Sequence, residues 1–109
     1  MRIEGVPFAT VDWDRVPEVE HPGETGKAFW RTVEAGGIRV RKVRYSPGYK
    51  ADHWCSKGHV LLILEGEMIT ELKDGSSVAM KTGMSYQVAD DMMPHRSVTA
   101  GGALLFIVD

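Results

Sequence analysis

Two of the chain's four histidines and its single cysteine fall in one stretch, Asp52-His53-Trp54-Cys55-Ser56-Lys57-Gly58-His59. A third histidine stands later, in Met93-Pro94-His95. Imidazole nitrogens and a thiolate together suit a borderline-soft metal ion. The thiol must lose its proton to ligate, and a bound cation lowers its pKa enough to allow that. On an extended chain, side chains alternate between faces, so His53 and Cys55 face one side and Trp54 the other. His59 joins them if the Ser56-Lys57-Gly58 turn keeps the register. The bland reading of the same residues is ordinary packing. A lone buried cysteine behaves as a small hydrophobe, and a single histidine is commonly a satisfied core or surface residue.

The elements that must position these residues read as strands. The spacing predicts extended segments over 29–34, 38–45, 49–55, 59–64, 68–73, 76–80, 84–88, 95–99 and 103–108, with one short strand over 6–10. Gly, Pro or Asp-Gly separates them, as at Ala35-Gly36-Gly37, Ser46-Pro47-Gly48, Glu65-Gly66-Glu67, Asp74-Gly75 and Lys81-Thr82-Gly83. No stretch sustains a 3.6-residue apolar period, so the fold class is all-β, a sandwich or barrel. Residues 1–26 are turn-rich, and His21, beside Pro22 and Gly23, reads as a loop histidine.

The totals limit the function classes. At 109 residues the chain is one domain, 1–109, able to bury a core without a staple. A formal net charge of −2 offers no basic field, which argues against nucleic acid or an anionic membrane as partner. The denser basic run from Arg39 to Arg44 alternates with valines and reads as a solvated strand face. One cysteine excludes an internal disulfide. No leader segment is visible at the N-terminus, and the apolar runs are too short to span a bilayer. A cytoplasmic location is the resulting expectation. Val60 to Leu64 is apolar on both faces, although a strand with one wet face should alternate. Its outer face is covered either by a second copy of the chain or by the N-terminal segment through Trp13, Phe29 or Trp30.

The wider pattern resembles the cupin family. In its first motif Gly48 opens, His53 takes the first histidine, Cys55 stands at the second histidine, His59 at the glutamate, and Gly66 closes. In the second motif Gly83 opens and His95 takes the histidine, while Asp90, Met92 and Thr99 replace the usual proline, glycine and asparagine. Asp52-His53-Trp54-Cys55, Lys57-Gly58-His59, Ser46-Pro47-Gly48-Tyr49 and Pro94-His95-Arg96 together are similar to the small single-domain group called DHCW-motif cupin-fold proteins. The resemblance covers nearly the whole chain. It implies a single-domain cupin-type jelly-roll β-barrel, with residues 1–26 packing on it as an extension. It also implies a metal on His53, Cys55, His59 and His95 in the barrel mouth.

Most metal-binding cupins use three histidines and a glutamate. Here a thiolate replaces one imidazole and an imidazole replaces the carboxylate. The softer set favours zinc, with iron(II), nickel or copper also within reach. Cupins commonly pair through a sheet face, so a homodimer is expected. Tyr49, Trp54, Tyr86, Met92 and Met93 are candidates for a pocket wall, with Trp54 the weakest because strand parity turns it away. Arg44 and Arg96 are candidates for attracting a carboxylate, although surface solvation explains them equally. Asp52, Asp90 and Asp91 are candidates to orient a ligating imidazole, or loop residues. Two function classes fit: a protein that converts a small polar metabolite at the metal, and a non-catalytic binding or sensing module whose metal is structural.

Overall fold

The structure is a computed structural model that describes residues 2–109. Eight strands account for about half of the chain: β1 (Val19–Pro22), β2 (Lys27–Ala35), β3 (Ile38–Tyr45), β4 (His59–Leu72), β5 (Ser77–Lys81), β6 (Ser85–Val88), β7 (His95–Val98) and β8 (Ala103–Val108). One short 3-10 turn, Trp13–Arg15, precedes them. Every pairing is antiparallel. The strand order is β1-β2-β3-β8-β4-β5, with β6 and β7 also pairing β4. The all-β class and most of the expected strands are therefore present.

β4 is the spine. Its first half pairs β6 and β8, and its second half pairs β5 and β7. The sequence reads as two strands broken at Glu65-Gly66-Glu67, but the chain runs straight through as one strand. A register shift between Ile63 and Glu65 makes a bulge, which bends a strand without reversing it. The bulge also flips which parity faces inward. His59, Leu61 and Ile63 are buried before it, and Met68 and Thr70 after it.

The inward residues form one cluster of Val43, Leu61, Ile63, Met68, Met80, Leu105 and Ile107, with Ala28, Tyr49 and Ala103 around them. β8 alternates cleanly, with Ala103, Leu105 and Ile107 buried. Such half-buried alternation sets the register, because a one-residue slip would turn every core side chain outward.

Three local expectations change. Residues 6–10 are not a strand: Pro7 has no N–H to give a ladder, and Phe8 is almost fully exposed. The first strand is instead β1, paired residue for residue with Lys27–Trp30 of β2. The 49–55 segment is joined to the sheet at isolated bridges, Lys50 with Thr25 and Val98 and Cys55 with His95, and bends between them. The basic run on β3 is split by parity. Arg41 and Val43 are buried, whereas Arg44 is exposed and pairs with Glu18 at 3.0 Å.

Part of the N-terminal segment lies on the sheet. Arg31 donates to the Trp13 carbonyl at 2.9 Å and to the Val16 carbonyl at 2.7 Å. Trp13 meets Phe106 edge-on at 6.0 Å, and Phe106 is the β8 partner of Leu62. Trp13 therefore covers part of the outer face of the apolar run, while Val60 stays exposed.

Gly66 follows the bulge in a backbone conformation that glycine alone adopts freely. Its φ is +79°, and an added Cβ would run into the Gly102 carbonyl. Left-handed backbone costs a residue with a Cβ about 1–2 kcal/mol before any clash. Gly66→Ala should therefore lower stability by about 2 kcal/mol or more. Gly75→Ala, at φ +94° in open space, should cost clearly less. Chemical denaturation midpoints of the two variants check the order.

Candidate metal centre

The cluster is assembled from three separate places in the fold. Cys55 and His95 are held opposite each other by two backbone hydrogen bonds, Cys55 N–H to the His95 carbonyl at 2.8 Å and His95 N–H to the Cys55 carbonyl at 3.0 Å. This bridge brings together two residues forty positions apart. His59 enters from the start of β4, pointing inward with Leu61 and Ile63. One ligand atom from each of Cys55, His59 and His95 lies within 4.8 Å of the others.

The hydrogen bonds set where the lone pairs go. The His95 Nδ1–H donates to the Met93 carbonyl at 2.8 Å, which leaves the Nε2 lone pair facing inward. His95 Nε2 lies 3.0 Å from His59 Nε2, and Tyr86 Oη lies 3.0 Å from the same His59 atom. Two imidazole lone pairs aimed at each other repel, so this approach needs a proton or a cation between them. A metal with bonds of about 2.0–2.3 Å keeps its ligand atoms roughly 3–4 Å apart; the two imidazole nitrogens are at that spacing and all three ligand atoms lie within 4.8 Å. The donor chemistry and spacing thus fit a divalent transition metal.

His53 is not brought into the cluster. Its side chain is 73% exposed and its Nδ1 sits 2.6 Å from Asp52 Oδ1. Residues 52 and 53 form a bend, so strand alternation does not carry the facing of Cys55 back to His53. His53 instead lines the mouth of the cavity above the cluster.

Compared with known proteins, the chain matches no protein-family model and no curated protein. Solved structures do resemble it. Ectoine synthase from P. lautus superposes with a TM-score of 0.75 at 13% identity, over 93% of this chain and 76% of that one. Fe(II)-HppE with the alternative substrate (S)-1-HPP gives 0.77 at 17% identity, over 99% of this chain and 65% of the HppE chain. An RmlC-like cupin from Shewanella frigidimarina gives 0.73 at 19% identity, over 94% and 90%. The chain has the cupin fold.

The surroundings of the cluster in this cupin-fold chain differ from the expected ones. Asp52 reaches His53 alone, and Asp90 accepts from the Gly58 N–H at 2.6 Å, steadying the turn before His59. Asp91 donates its N–H to the Ser56 carbonyl at 2.8 Å, so its backbone serves that same turn. The carboxylate nearest a cluster imidazole is Asp109, whose Oδ2 lies 3.8 Å from His59 Nδ1. Asp109 is fully buried and is held by Arg39 and Arg41. Sequence reading missed all three. The available signal was parity: Arg39 and Arg41 share the inward face of β3 with Val43, and Asp109 continues the inward face of β8.

Of the expected pocket wall, Tyr49 and Tyr86 line the cavity. Met93 lines a separate apolar hollow behind Tyr86 and His95. Met92 is exposed. Trp54 faces outward, between Arg96 at 4.3 Å and Lys73 at 4.6 Å. His21 stacks on Trp30 with centroids 3.9 Å apart, away from the cluster.

Electrostatics separate the two histidines. Burial, aided by the neighbouring His95, lowers the His59 pKa to about 4. Hydrogen bonding between Cys55 and His95 lowers the thiol and raises His95. Below pH 6.5 an unfolded chain protonates its His59, whereas the metal-free fold holds it neutral down to about 4. The unfolded state then binds more protons, so stability falls as pH drops through that window. The His59 contribution to that loss is expected to be about 2–3 kcal/mol. Denaturant titrations of metal-free protein between these pH values check it, and His59→Gln should flatten the slope.

Proposed function

We propose that this chain is a metal-binding cupin which binds or converts a small polar metabolite. It holds one divalent transition metal on Cys55, His59 and His95, with His53 available as a fourth donor from the cavity rim. The observation that carries this reading is the convergence of one thiol and two imidazole nitrogens within 4.8 Å at the base of a cavity. Zinc is the proposed metal, because a thiolate with imidazoles is a soft, zinc-like set. HppE, in its Fe(II) form, has a similar fold, which keeps iron as the runner-up. Within the fold, the residues quoted above make the DHCW-motif group its proposed home. A free thiol ligand is best kept in a reducing compartment, which supports the cytoplasm.

Three protein ligands with one position turned to a cavity is the arrangement of a reactive site, and four protein ligands that of a structural one. The cobalt-substituted protein distinguishes them. Visible bands that shift on adding cyanide support the reactive form. Bands that do not shift, but begin to do so in His53→Ala, show that His53 closes the site.

Elemental analysis tests the metal itself, on protein purified without a nickel column. About one equivalent is expected in wild type. Cys55→Ser, His59→Ala and His95→Ala should each lose nearly all of it. His53→Ala should weaken affinity by about 10–100-fold, the range for a supporting residue. Wild type that carries no metal, or Cys55→Ser that keeps it, removes the proposal.

A homodimer completes this reading. Val60 on β4 is an exposed valine on the outer face of the sheet, and Trp13 covers only part of that face. Light scattering at micromolar concentration should give twice the chain mass, and Val60→Asp should return it to one.

A further inference from the structure

The cavity above the cluster carries more positive charge than its partners cancel. Its volume is about 130 Å³, and the inward positions of β3, namely Arg39, Arg41, Val43 and Tyr45, form one wall. Arg39 grips Asp109 through two bonds, Nε to Oδ1 at 3.0 Å and Nη2 to Oδ2 at 3.1 Å. Arg41 Nη2 donates to the same Oδ2 at 3.0 Å. One carboxylate therefore serves two guanidinium groups. Arg96 also lines the cavity, but Glu71 matches it at 2.6 Å. An arginine does not shed its proton in a protein, so among hydrogen-bonded partners the β3 wall carries one more positive than negative charge, with Glu34 across from Arg39 on β2 but not bonded to it.

That excess charge includes a buried donor without a partner. The Arg41 side chain is 7% exposed, and its Nε has no hydrogen-bond partner. Leaving a charged donor buried and unsatisfied is costly. Trp30 lies against the guanidinium at 4.4 Å, which fixes its plane. A planar guanidinium fork fits a carboxylate through parallel N–H bonds.

We propose that the cavity binds a small monocarboxylate, its carboxylate taken by Arg41 and Arg39 and its other polar end facing the Cys55–His59–His95 cluster. The far end rests on the metal-centre reading, and the carboxylate grip rests on the arginines. Size limits the ligand. A cavity of about 150 Å³ holds a six-carbon ring, so this one takes roughly six non-hydrogen atoms, the size of a three-carbon 2-hydroxy or 2-oxo acid. Arg44, a sequence candidate for this role, points outward to Glu18.

NMR titrations test the proposal on metal-loaded and chelator-stripped protein, with lactate, lactamide and inorganic phosphate as probes. Lactate should bind both forms at least about tenfold more tightly than lactamide, the loss expected when a charged hydrogen bond is removed. Arg41→Gln should erase that preference while its metal content stays at the wild-type level. Arg41→Gln also strips a partner from buried Asp109. If it does not fold, Arg39→Gln and the wild-type comparison of acid with amide carry the test. Equal binding of lactate and lactamide, no binding of lactate, a preference for phosphate over lactate, or a preference that survives both substitutions would overturn it. Lactate preference in a wild type that holds no metal would sink the metal centre and leave the carboxylate grip standing.

Discussion

A buried carboxylate governs the interior of this fold. Asp109 lies at the end of β8 with no exposed side-chain surface, and Arg39 and Arg41 reach it from β3. The strands themselves set this meeting. Arg39 and Asp109 exchange two backbone hydrogen bonds, Arg39 N–H to Asp109 O at 2.6 Å and the reverse at 2.9 Å. Arginines on an inward strand face would be expelled without a counter-charge, since desolvating a guanidinium costs several kcal/mol. The carboxylate makes them tolerable, and its outer oxygen stands beside His59 Nδ1. The charge that holds the arginines thus also lies against the imidazole that points at the cluster.

The bulge in β4 does the matching work for the backbone. If the strand kept its alternation through Gly66, an inward His59 would require an outward Met68, which is buried. Inserting one residue lets the same strand present His59 to the cavity and Met68 to the core. Its partners change at the same point, from β6 and β8 to β5 and β7. A polar site and a dry core can therefore share one strand, at the cost of a glycine that no other residue replaces without strain.

Much of this was legible in the sequence, for reasons that can be stated. Hairpin signals such as Asp74-Gly75 and Ala35-Gly36-Gly37 act locally, and the strands beside them formed where expected. Cys55, His59 and His95 could be grouped because their side-chain chemistry is unusual in an apolar setting. What failed were arguments that carried strand parity across non-strand residues. His53 was paired with Cys55 by alternation; both line one cavity, but Asp52 and His53 bend, and His53 stands outside the close cluster. The opposite error hid Arg39 and Arg41. Parity does hold on β3, and it sends those two inward with Val43. A basic run suggests solvent unless its counter-charge is seen, and Asp109 lies some seventy positions away, where no local pattern connects them.

The two halves of the site suit one another electrically. With the proposed metal bound, a divalent ion on a single thiolate would keep a net positive charge, facing the arginines of the β3 wall across a cavity of about 130 Å³. Two like charges facing each other across a partly buried cavity repel, so the metal-loaded cavity would favour something negative. A monoanion between them, as proposed, would offset the guanidinium charge of the β3 wall and the charge at the cluster together. A neutral ligand of the same shape relieves neither. Discrimination then comes less from added contacts than from leaving a buried donor unpaired when the wrong molecule binds, and that penalty is the stronger source of selectivity in a polar site.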